Sequence, residues 1–104
     1  RISAAETKHL GAIRTLLTRY RVTDPTKGMP AGEFQSDAFQ DMYDDLLASG
    51  SASLQEALDA GATVERHDIA DLRAAMVGLT TTDVKTVYTN LVRASQQHLA
   101  AFTR

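Results

Sequence analysis

Three stretches of this chain carry apolar residues at alternating steps of three and four, and each stretch is interrupted by polar residues. The first reads Ile2, Glu6, His9, Ile13, Leu16, Tyr20. The last reads Val84, Tyr88, Leu91, Ser95, His98, Phe102. Between them lies Leu54, Leu58, Gly61, Glu65, Asp68, Leu72, Met76, Leu79. This spacing puts each set on one helix face. Such faces bury against one another, so the chain is expected to be an all-α bundle. Glu and His are costly in a bundle interior unless partnered. A metal ion is a partner that satisfies several of them at once.

The punctuation gives three long helices and one short one. Residues 2 to 20 form the first, with its seam already running at Ile2. Residues 21 to 35 hold both prolines, Pro25 and Pro30, with Gly28 and Gly32, and read as a loop. A short helix follows from about Asp37 to Ser49, with Ser36 as its cap, Gly50 as its stop and Phe39, Met42, Tyr43, Leu46 and Leu47 on its apolar side. Ser53 and Glu56 have capping-box spacing and open the third helix, which should end near Gly78. Gly61 costs that helix up to about 1 kcal/mol and is expected to permit close packing. Thr81 or Thr82 caps the fourth, with Asp83 in the first turn where the helix dipole favours an acid. The whole chain, 1 to 104, reads as one domain.

Register supplies a test of the polar interruptions. The short turn near Thr81 makes the third and fourth helices antiparallel neighbours. Glu65 lies 16 residues before Thr81 and His98 lies 17 after it, while Asp68 lies 13 before and Ser95 lies 14 after. At about 1.5 Å per residue, these interruptions fall at matching levels.

Composition removes other classes. The net charge is −2 and basic residues are not clustered, which argues against nucleic acid as a partner. The absence of Cys removes disulfides, thiolate metal sites and Cys nucleophiles. No apolar run approaches the roughly 20 residues of a membrane span, and no signal segment is present. There is no phosphate-cradling Gly loop and no His-Glu-x-x-His motif. His67, off the seam, and the Asp44-Asp45 pair read as solvated, while Tyr20 and Tyr88 read as core aromatics.

Glu6-x-x-His9 on one bundle helix, acids on a second and a His on a third resemble the ferritin-like superfamily. More closely, the chain resembles the ferritin-like family called domain of unknown function 2202. The stretches that carry this are Ala5-Glu6-Thr7-Lys8-His9, Arg19 to Pro25, Gly61-Ala62-Thr63-Val64-Glu65, Asp68 to Leu72 and Ser95-Gln96-Gln97-His98-Leu99. The resemblance implies a ferritin-like helical bundle: three long helices, a short crossover helix, and a first bundle helix with its Glu ligand that this chain lacks. It implies a carboxylate and histidine metal site, with Ser95-x-x-His98 standing where a di-iron pattern has Glu-x-x-His. The expected ligands are Glu6, His9, Glu65 and His98, with Asp68 next and Glu65 as the bridge if two ions bind. Iron, manganese or zinc suits that donor set.

The expected function is a ferritin-like metal-binding domain, with oxidoreductase or ferroxidase chemistry open to it if the metal is redox-active. The alternative is a structural or interaction module that keeps the fold with a degenerate site, its Glu and His forming a polar layer. A zinc hydrolase ranks last. Three long helices leave part of an apolar seam uncovered, so a homodimer, or association with a preceding segment, is expected.

Overall fold

A computed structural model describes residues 2–104. Among them are four helices and no strands: α1 (Ile2–Arg19), α2 (Asp37–Gly50), α3 (Leu54–Met76) and α4 (Thr82–Phe102). α4 packs on α3 and on α1, and α2 packs on α3. The Glu6 carboxylate at the start of α1 meets His98 near the end of α4. Tyr20, just past the end of α1, meets Asp83 at the start of α4. α1 and α3 therefore both run antiparallel to α4 and flank one groove beside it, without close backbone contact between them. The open groove that results agrees with a radius of gyration of 14.7 Å, against about 13 Å for a compact chain of this length.

The helix starts obey local chemistry. The Ser36 hydroxyl accepts from the Phe39 N–H, and the Ser53 hydroxyl accepts from the Glu56 N–H at 3.1 Å while also meeting the Glu56 carboxylate. Thr81 is the N-cap of α4, but its side chain makes no capping bond. Asp83 does that work, accepting from the Val84 N–H at 2.9 Å.

Two helix stops differ from expectation. α1 ends at Arg19 rather than Tyr20 because Arg21 adopts the left-handed conformation, with φ of 57°. The Val22 N–H then reaches the Leu17 carbonyl and the Arg21 N–H reaches that of Thr18, the two bonds of a Schellman motif. Tyr20 is thereby turned out of the core and donates to Asp83 Oδ1 at 2.7 Å, beside the Arg19 guanidinium on Oδ2 at 2.6 Å. Those two donors hold the Asp83 carboxyl below its ordinary value. Gly50 does not stop α2; it is the last helical residue, and Ser51 caps the helix through Leu47. α3 ends at Met76, near Gly78 as expected, because Val77 is extended and Gly78 has φ of 73°. With the Leu79 N–H on the Met76 carbonyl, this is a type II turn, which requires a positive φ at its third residue.

The core is thin. Its buried apolar residues are Leu16, Ala62 and Ile69, and three polar residues, Glu65, Ser95 and His98, are buried with them. The buried stripe of α3 is thus Ala62, Glu65, Ile69, rotated from the expected Gly61, Glu65, Asp68. α3 has neighbours on two sides, α4 and α2, so its most enclosed face lies between the two contacts. Gly61 still has a packing role. A Cβ there would lie 2.6 Å from the Phe102 ring, so the close approach is by a ring rather than a backbone.

Candidate metal centre

The register arithmetic brings Glu65 and His98 together. Glu65 Oε1 lies 3.2 Å from His98 Nδ1, with both residues buried. From α1, Glu6 Oε1 reaches the same Nδ1, also at 3.2 Å. Ligand atoms of Glu6, Glu65 and His98 all lie within 4.8 Å of one another, the spacing of groups that can share one ion. Glu6 is exposed, so the cluster is closed on the α3–α4 side and open on the α1 side.

The electrostatics of the cluster are unbalanced. An imidazole Nδ1 carries at most one proton and gives one well-directed bond, so it cannot serve two carboxylates equally. Glu65 is 3 % exposed, and its Oε2 has no hydrogen-bond partner. An unpartnered buried carboxylate oxygen costs roughly 1–3 kcal/mol or more. A cation is the partner that would remove this cost, and it would accept the Glu6 oxygen and the His98 nitrogen as well.

The other expected site residues stand nearby. His9 Nδ1 pairs with Glu6 Oε2 at 3.3 Å, and its ring centroid is 6.3 Å from that of His98. His9 therefore holds the far oxygen of Glu6 instead of joining the group of three. Asp68 lines the α1–α3 groove with Glu6, His9 and Ser95 but is not in that group. The rotation of the α3 stripe places it at the groove edge, half-buried. His67 is partly exposed and pairs with Asp71 at 3.2 Å. Sequence reasoning missed Asp83 as a tie between α1 and α4 at the end of α1 away from Glu6. An acid in the first turn of α4 was the available signal, and it was assigned to the helix dipole alone.

Burial raises the Asp68 carboxyl to about 6, with the charges of Glu65 and Glu6 adding to the effect. Between about 4 and about 6, folded Asp68 keeps a proton that the unfolded chain has released. Stability of the metal-free protein is therefore expected to fall as pH rises through that window. Asp68→Asn should remove the loss and raise stability near neutral pH by about 1 kcal/mol, a figure discounted for partial exposure. Urea midpoints across the window are the measurement; an unchanged slope in the variant would sink the assignment.

Fold and cluster together define an all-helical protein, among the described residues, with a Glu/Glu/His group that could hold a metal ion, Glu65 and His98 buried and Glu6 exposed. The chain belongs to the DUF2202 family of uncharacterised protein domains, which matches residues 1–104. It is 38% identical over 103 residues to the uncharacterised protein MJ0754 of Methanocaldococcus jannaschii, covering 99% of this chain and 56% of that protein. It is also similar to the crystal structure of the hypothetical protein MJ0754 from Methanococcus jannaschii, with a TM-score of 0.92 and 38% identity over 97% of this chain and 58% of that one. The chain thus spans a little over half the length of the relative it matches. No described helix is long and apolar enough to cross a membrane.

Proposed function

We propose that this chain is a ferritin-like metal-binding domain whose ligands are Glu6, Glu65 and His98. The observation that carries the reading is Glu65 Oε2, buried and unpartnered among groups that can share a cation. Nothing in an apolar core requires a carboxylate there, and a purely structural acid would be expected to satisfy both oxygens. In this reading Glu65 supplies a fixed carboxylate from α3, His98 supplies a nitrogen from α4, and Glu6 closes the site from α1. His9 orients Glu6 by holding its second oxygen. Asp68, from the groove edge, adds negative charge near the site. Iron, manganese or zinc fits a nitrogen and carboxylate donor set. A redox-active ion would supply one-electron chemistry with O₂ or peroxide when bound.

A second reading has its own support. His98 Nδ1 lies 3.2 Å from both carboxylates, so a protonated His98 could bind α1 and α3 to α4 as a polar layer in a structural module. Metal stoichiometry separates the two. After anaerobic loading with Fe(II), and in parallel with Mn(II) and Zn(II), elemental analysis of desalted protein should find metal retained by the parent chain and lost from His98→Ala. Retention at parental level in that variant would remove the cluster as the site. Ligands must be deprotonated to bind, so retention should also weaken in acid.

Homodimerisation belongs to the same proposal. The α1–α3 groove exposes Leu10 beside Ile13 and Leu72, an apolar surface that a second copy would cover. Sedimentation equilibrium should give twice the chain mass; a monomer at all concentrations would refute this.

A further inference from the structure

The loop between α1 and α2 does more than connect them. It folds over α2 and the middle of α3 and partly roofs a chamber of about 730 Å³ that stays open to solvent on one side. That volume lies within the range of small-molecule sites, roughly 300–1,000 Å³. Met29, Phe34, Phe39 and Met42 supply its apolar wall. The roof is fastened rather than loosely draped. The Gln40 side chain donates from Nε2 to the Gly32 carbonyl and accepts from the Phe34 N–H, both at 3.0 Å. Phe34 packs on Tyr43 with ring centroids 5.6 Å apart, and Asp24 accepts from the Thr26 N–H and hydroxyl at the far end of the loop.

The chamber has one sign of charge. Its titratable lining groups are Glu33, His67 and Asp68, and no Lys or Arg lines it. His67 is occupied by Asp71 and lies against Phe39, ring edge to face. Asp68 enters none of the ion pairs among the described residues. It also lines the groove that holds Glu6 and His9, so it is the wall common to the two spaces.

We propose that this chamber binds a small amphiphile with an alkyl or aromatic body and a cationic head, the body seated on Met29, Phe39 and Met42 and the head on Asp68. Of its two carboxylates, Glu33 and Asp68, neither is ion-paired, but Glu33 is exposed while Asp68 is half-buried against the apolar wall, so Asp68 is the one that selects for an ammonium group, tolerates a neutral hydroxyl and disfavours a carboxylate. The proposal requires no bound ion, but Asp68 also borders the groove of Glu6 and His9, so binding is read with metal excluded.

The test uses the metal-free chain, kept in chelator, and three probes with one body and different heads: octylamine, octanol and octanoate. The chain has three methionines, Met29, Met42 and Met76, and the first two line the chamber while Met76 lies elsewhere. With methyl-labelled methionine, octylamine should shift the Met29 and Met42 signals and leave Met76 in place. Affinity should rank octylamine, octanol, octanoate. Asp68→Asn should weaken octylamine by about ten-fold, to the level of octanol, and leave octanol unchanged. Met42→Trp, which fills the chamber from α2, should weaken all three. Equal binding of octanoate and octylamine, shifts at Met76 alone, or an undiminished amine preference in Asp68→Asn would each overturn the proposal. Circular dichroism of both variants confirms folding, and metal retention by the parent chain is read separately, so neither result stands in for the other.

Discussion

Glu65→Gln is expected to abolish metal retention while making the metal-free protein more stable. The side chain is buried, one of its oxygens faces His98 and the other faces nothing that donates. Glutamine keeps the acceptor toward His98 Nδ1 and removes a buried charge. The cost of holding that charge out of water, roughly 1–3 kcal/mol, should be recovered in part. A gain of about 1 kcal/mol raises the midpoint of a chain this size by roughly 4–8 °C. Metal affinity should fall on the order of 100-fold or more, since even changes to groups that only orient a ligand cost 10- to 100-fold. The polar-layer reading requires the opposite sign for stability. If Glu65 is there to pair with a charged His98, breaking that pair costs about 3–5 kcal/mol. Thermal melts and metal analysis of one variant therefore decide between the two readings.

Ile69→Ala should have the largest effect on folding itself. Ile69 is one of three buried apolar residues, beside Leu16 and Ala62. Truncating a buried Ile to Ala costs about 2–5 kcal/mol, more where neighbours cannot collapse into the space. A chain of this length has roughly 5–15 kcal/mol in all, so the variant gives up a large share of its margin. Few other residues carry the load, and α3 is the helix on which both α2 and α4 depend. The expected result is a fall in the urea midpoint with little change in slope. Leu54→Ala is the control: Leu54 is 77 % exposed, and its loss should move stability by no more than about 0.5 kcal/mol. Equal effects from the two would contradict the burial described here.

Much of this arrangement was legible in the residues, for identifiable reasons. The helices follow from apolar periodicity and from Ser36, Ser53 and Pro-Gly punctuation, all of which are local. The meeting of Glu65 with His98 follows from counting outward along two straight helices joined by a short turn, and the structure places them 3.2 Å apart. Where a result depended on a neighbour that the sequence does not name, reading it was harder. The α3 stripe is rotated because α2 packs on its other side, and this moves Asp68 from the interior to the groove edge. Tyr20 leaves the core because a non-glycine residue, Arg21, takes a conformation usually reserved for glycine. The chamber was invisible because long-range packing of the loop creates it, although a loop of that length is itself a common sign of function.

The placement of α1 has a consequence for how the molecule breathes. This helix rests on α4 alone and is tied there at one end by Asp83 and at the other by Glu6. Its amides should therefore open to solvent exchange in a local event, well before the α3–α4 pair comes apart. The Glu6 end lies at the proposed ion site, so an ion held there would pin the looser segment to the firmer one. The binding energy would then appear as slowed exchange along α1, which makes this helix the part of the chain whose motion reports occupancy.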